Sequence, residues 1–162
     1  MGLPSDRQET LRSTLGNIPD PQERLMVATS WKTTMEPLRD EERTEENRVR
    51  GCVSRVWLAA GMEHSHCRFR VDADSPLVRG LVTILCGIYD GATPGEVIAE
   101  EPVVLEELGI LRNLSPTRQN GLAAVRRALV DFAAKPCPLG NEPWISAAPA
   151  LDSLLKKSRS GF

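Results

Sequence analysis

The chain has 162 residues, 20 of them basic and 22 acidic, with 41% hydrophobic and 26% charged. This is the size of one domain able to bury a core without metal or disulfide staples. The slight negative balance argues against a nucleic-acid partner, which needs clustered Lys and Arg, and no apolar run approaches the roughly 20 residues of a membrane helix. The opening Met-Gly-Leu-Pro-Ser-Asp has no secretory apolar core, and Asp6 stands where a myristoylation signal carries Ser or Thr, so a cytoplasmic chain is expected.

Four helix starts pair a polar cap with a proline, whose fixed φ and missing N–H suit the first helical position: Asp20-Pro21, Ser75-Pro76, Thr93-Pro94 and Ser115-Pro116. Glu23 and Glu96 follow two of these caps by three residues, the spacing of a capping box. In chain order, a short helix from Asp6 turns Leu11 and Leu15 inward. A second, from Pro21 to about Met35, does the same with Leu25, Ala28, Trp31 and Met35.

Residues 38–50 are charged, lack an apolar period and read as a solvated connection into Gly51-Cys52. Strand-favouring residues 53–60, a turn at 61–63 and an alternating run over 65–71 predict a hairpin. Leu77, Leu81, Ile84, Leu85 and Ile88, with Val78, Val82 and Tyr89 beside them, form so broad a stripe that the next helix must be deeply buried; Asp90-Gly91 stops it. A short helix over 93–99 and a long one over 116–134, with Leu122, Val125, Leu129 and Phe132 inward, complete the pattern.

Helices, hairpin, helices is an α+β order: a small antiparallel sheet packed against several helices. The domain is expected to span residues 1–134. Four prolines within 136–150 break regular structure in the tail, 135–162, which is expected to be peripheral or disordered, with at most a short helix at 151–157.

The four cysteines have neither C-x-x-C spacing nor a disulfide pattern. Cys52 follows a glycine at the end of a charged loop, with Arg48, Arg50 and Arg55 near in sequence. Cationic neighbours favour the thiolate, the species that attacks persulfide or disulfide sulfur; the alternative is a structural thiol at the head of a strand. Cys67 belongs to His64-Ser65-His66-Cys67, yet strand alternation puts the thiol with Phe69 and Val71 and the imidazoles with Arg68 and Arg70, so core packing is expected rather than metal binding. Cys86 lies in the apolar helix and is expected to be inert, and Cys137, between Pro136 and Pro138, to be a bystander rather than a resolving thiol.

The stretch Asn47-Arg48-Val49-Arg50-Gly51-Cys52-Val53-Ser54-Arg55-Val56-Trp57-Leu58 resembles the Cys loop of SufE proteins, N-x-V-x-G-C-x-S-x-V-W-[LI]. Three further segments follow in the family's order. They are Asp72-Ala73-Asp74-Ser75 with Leu77-Val78-Arg79-Gly80-Leu81, then Tyr89-Asp90-Gly91-Ala92-Thr93-Pro94-Gly95-Glu96, then Leu114-Ser115-Pro116-Thr117-Arg118-Gln119-Asn120-Gly121-Leu122. The resemblance covers about residues 5–134. Val53 and Arg55 depart from it, standing where the family often carries Gln.

The resemblance implies a fold shared with U-type (NifU-like) iron–sulfur scaffolds and a sulfur acceptor and desulfurase activator without a cofactor or metal of its own. Cys52 would accept persulfide sulfur from a SufS- or CsdA-type cysteine desulfurase, which carries the pyridoxal phosphate, and pass it to a scaffold such as SufB for iron–sulfur cluster assembly. Asp74 and Arg118 occupy matching positions expected near the loop. Val53, Val56, Trp57 and Leu58 are candidates for an apolar hollow sheltering the sulfur, and a plain core accounts for them equally well. Three rivals remain: a U-type scaffold, a docking module with an inert Cys52, and a thiol peroxidase, which lacks a placed resolving cysteine.

Overall fold

In the computed structural model, residues 3–31, 33 and 35–135 are described, together with a two-residue strand at Ile145–Ser146. Their order is α1 Pro4–Leu15, α2 Pro21–Thr29, β1 Val56–Glu63, β2 His66–Ala73, α3 Pro76–Tyr89, α4 Pro94–Ala99, α5 Val104–Glu107, α6 Pro116–Ala134 and β3 Ile145–Ser146. The fold is α+β, with a small antiparallel sheet against helices, as expected.

Prolines begin five of these helices, and the caps vary in how they act. Thr93 and Glu96 form the reciprocal capping box, and the Ser115 hydroxyl accepts from the Arg118 N–H. Asp20 instead accepts from the Gln22 N–H, without Glu23, and Ser75 makes no side-chain cap. α1 starts at Pro4, two residues before the expected Asp6. α2 stops at Thr29 rather than Met35, where the hydroxyls of Thr29 and Ser30 bond back to carbonyls of the preceding turn and compete with the helix. Met35 still enters the core, from irregular chain.

The hairpin turn lies at His64-Ser65, not at 61–63. Both residues have positive φ, 50° and 65°, the signature of a two-residue turn whose twist matches the strands. Gly61 is thereby paired with Arg68 inside the ladder. The inner face carries Val56, Leu58, Ala60, Cys67, Phe69 and Val71, all buried. It packs on α3 and α6, where Phe69 meets Phe132 edge-on at 5.9 Å. Gly80 of α3 admits α2: a Cβ there would stand 2.4 Å from the Thr29 Cα.

The outer face of the hairpin is covered by the charged segment expected to be a solvated connection. Leu38 and Val49 are buried. Arg70, itself buried, pairs with Glu36 and Glu42, Arg43 pairs with Asp72, and the Arg43 guanidinium lies 5.6 Å from the Trp57 ring. Opposite charges thus meet across the contact, Glu36 and Glu42 on Arg70 of β2 and Arg43 on Asp72 of β2, which satisfies charges that the packing removes from water.

β3 pairs with β1 at Ala59 and Ala60, giving the order β2-β1-β3. These two tail residues form a sheet edge, contrary to the expectation that the prolines exclude regular structure there. Cys137 and the expected helix at 151–157 lie outside the described residues. Among the described residues no helix is long and apolar enough to cross a membrane.

Candidate functional site

Cys52 sits at the apex of a loop closed at its base by β-type bonds. The Val49 N–H donates to the Val56 carbonyl at 2.8 Å, the Leu58 N–H to the Asn47 carbonyl at 2.8 Å, and Arg48 bridges to Trp57. Residues 50–55 project from this clasp over α6. Gly51 turns the chain with φ +92°, and a Cβ there would touch the Ala124 methyl at 3.4 Å. The need for glycine before Cys52 is conformational.

The turn brings Cys52 onto the helix, where its S–H donates to the Gly121 carbonyl at 3.4 Å. Beneath it lies a hollow of about 30 Å³ lined by Val53, Val78, Leu81, Thr117 and Leu122, with Ser54 and Arg118 at its edge. That is room for about one or two water-sized groups, hence for one further sulfur atom. On the other side of the loop a wider, polar concavity of about 310 Å³ is lined by Glu45, Arg48, Arg50 and Cys52.

Burial pushes the Cys52 thiol above its ordinary pKa, and the charge of Arg48 opposes this without overcoming it. Arg48 favours the thiolate, as expected of a cationic neighbour, but in the resting loop burial outweighs it. Arg48 is engaged with Glu45 at 3.5 Å, while Arg50 and Arg55 point to solvent. The resting state is a protonated thiol bonded to a backbone carbonyl.

Arg118 is exposed on the first turn of α6 and lines the Cys52 hollow. Asp74 is exposed and does not line it; its N–H donates to the Arg55 carbonyl at 3.1 Å, tying the entrance of α3 to the end of the Cys loop. Of the four apolar residues weighed for the hollow, only Val53 is there. Val56 and Leu58 are fully buried in the main core, and Trp57 lies on the outer face below Arg43.

Cys67 and Cys86 are fully buried, and burial drives the Cys86 thiol far above its usual pKa. His64 is exposed, and the His66 Nδ1 lies 2.7 Å from the His64 carbonyl. Among the described residues no three His, Cys, Asp or Glu side chains gather to hold a metal ion. The residues that sequence reasoning missed are those across from the sulfur: Gly121, Val78, Leu81 and Leu122. Gly121 carries a signal, since a glycine inside a helix costs stability and marks a close approach.

Fold and site together define a small α+β protein organised around one partly accessible loop thiol held against a helix. The family model described as the Fe-S metabolism associated domain, SufE, matches residues 9–133. The chain belongs to the SufE family. It is 34% identical over 102 residues to an uncharacterized SufE-like protein of Synechocystis sp., covering 63% of this chain and 64% of that one. It is 35% identical over 107 residues to the chloroplastic SufE-like protein 2 of Arabidopsis thaliana, covering 65% and 42%. With an uncharacterized SufE-like protein of Rhizobium etli it shares 36% over 101 residues, covering 59% and 68%. The chain thus spans less than two thirds of the first two relatives. A hypothetical protein from Thermus thermophilus, solved in solution, shares the fold with a TM-score of 0.64 at 20% identity, over 82% of this chain and 96% of that one.

Proposed function

We propose that this chain is a sulfur carrier: Cys52 accepts sulfur from the persulfide of a cysteine desulfurase, stimulates that enzyme by clearing it, and delivers the sulfur for iron–sulfur cluster assembly. The observation that carries the reading is the Cys52 thiol seated over a hollow with room for about one more sulfur. Membership in a family associated with Fe–S metabolism supports the same use of the thiol.

In the transfer step Cys52 gives up its proton, and its thiolate attacks the outer sulfur of the donor persulfide. The donor S–S bond breaks, the donor cysteine leaves with the electron pair, and no external oxidant or reductant is consumed. Passing the sulfur on repeats the exchange with Cys52 as the leaving thiolate. The raised pKa of the seated thiol means that the loop must leave the hollow, or meet a cationic donor site, before it reacts. The seat holds an idle thiol or a stored sulfur away from reductants and oxidants.

This chain contributes the acceptor and its shelter; pyridoxal phosphate chemistry stays on the desulfurase, of SufS or CsdA type, and a scaffold such as SufB takes the sulfur. Arg118 acts at the mouth of the hollow, and Asp74 acts by anchoring the loop end. Among the described residues no three His, Cys, Asp or Glu side chains gather as a cluster-holding scaffold requires.

The test is intact mass after incubation with a SufS-type desulfurase and free cysteine. The native chain gains about one sulfur atom, removable by reductant, and Cys52→Ser gains none. An adduct formed equally on the Ser variant, or absent with every desulfurase tried, overturns the reading in favour of a docking module.

A further inference from the structure

Around the acceptor thiol the surface chemistry differs from that of the rest of the chain. Over the hairpin, Arg43, Arg68, Arg70 and Arg79 each hold a carboxylate. At the Cys52 loop, Arg50, Arg55 and Arg118 have no carboxylate within 4.0 Å among the described residues, and all three are exposed. Arg50 precedes Cys52 by two residues, Arg55 follows it by three, and Arg118 faces it from α6. Of nearby acids, Glu45 is tied to Arg48, Glu46 is engaged as well, and Asp74 lies beside Arg55. A chain of net charge −2 thus concentrates positive charge at one place.

Within this patch stands Val53, 81% exposed, more than any other large hydrophobic side chain among the described residues. An exposed apolar side chain on a loop that also carries two exposed arginines matches the make-up of interface centres, where arginine is enriched and a packed apolar contact supplies affinity. Arg50 and Arg55 face solvent from a loop whose backbone is closed by the Val49–Val56 clasp, and Val53, at the hollow, keeps most of its surface exposed.

We infer that Arg50, Val53 and Arg55, with Arg118, form a docking surface for an acidic face of the sulfur donor, with a shallow apolar socket receiving Val53. This inference rests on the sulfur-carrier reading and adds the chemistry of the partner. Opposite charge steers the loop to the donor and accelerates encounter, an effect that salt screens over about 10 Å at 0.1 M. Val53 then adds a contact that salt does not weaken.

The experiment titrates the full chain against a SufS-type desulfurase at low and high salt, comparing native protein, R50E/R55E and R112E/R127E. The last pair changes net charge equally at exposed arginines that line neither concavity beside Cys52. Expected is a native affinity that falls about tenfold or more between about 50 and 500 mM salt. R50E/R55E binds about a hundredfold more weakly at low salt and recovers as salt rises, because screening now relieves repulsion; R112E/R127E follows the native chain. Circular dichroism melts confirm folding of each variant. Equal weakening in both variants, or native-like affinity and salt slope in R50E/R55E while Cys52 still gains sulfur, overturns the docking surface alone. If native Cys52 gains no sulfur from the desulfurase, the carrier reading falls and this inference with it.

Discussion

The Cys52 sulfur and the Gly121 carbonyl oxygen lie 3.4 Å apart, and a methyl group at position 121 would stand 3.4 Å from that same sulfur. The helix thus touches the thiol through a residue without a side chain. Gly121→Ala tests what that contact is for. Removing a mid-helix glycine raises stability by about 0.5–1 kcal/mol, while the new methyl occupies space beside the sulfur. The expected result is a higher melting temperature together with faster loss of the Cys52 persulfide to a thiol reductant. Unchanged persulfide lifetime would show that the hollow shelters nothing.

The seated thiol makes a prediction about pH. Burial holds the Cys52 pKa above its ordinary value against the pull of Arg48, so alkylation by iodoacetamide should reach half its maximal rate at higher pH in the folded chain than in urea. Arg48→Gln should move that midpoint higher still. For stability the sign follows from a folded pKa above the unfolded one. The contribution of Cys52 is full below the unfolded thiol pKa, about 8.5, and is lost as pH rises through the folded value. Cys52→Ser should lack this alkaline decline in urea denaturation.

Gly51→Ala should destabilise the chain by about 1–2 kcal/mol, since its φ of +92° disfavours any L side chain. The strain acts on the loop more than on the core. Alkylation of Cys52 should therefore accelerate as the loop leaves α6, and rates equal to those of the native chain would count against the positive φ.

Asp72 links the charged segment to the hairpin. Burial pushes its carboxyl upward, but the Ala73 N–H, Arg43 and Arg79 outweigh this and leave the pKa below its usual range. Stability from this group is present above the unfolded value, about 3.9, and falls as pH drops through the lower folded one. Asp72→Asn should reduce stability at neutral pH and flatten the acid limb of denaturation midpoint against pH.

Local chemistry makes some of this legible in the sequence. Thr93-Pro94 with Glu96 announces a helix start because cap and box are satisfied within one turn, and the stripe from Leu77 to Ile88 announces burial because one period carries it. The hairpin turn escapes such a reading because His64 and Ser65 take positive φ without a glycine to mark them, while Gly61 lies inside the ladder. The charged segment reads as solvated because its partners are far along the chain: Glu42 meets Arg70 across 28 residues. Cys52 can be singled out by the glycine before it and the family pattern around it. Its seat cannot, because Gly121 comes from 69 residues away.

The Val49–Val56 clasp sets a tether length. Three residues lead from Val49 to Cys52, and an extended chain advances at most about 3.3–3.6 Å per residue, so the acceptor atom ranges about 10 Å from its mooring while the sheet stays intact. A donor sulfur within that radius is reached by swinging the loop alone. One buried deeper obliges the donor to carry its own cysteine outward, or to unzip the edge of β1 before sulfur can change hands.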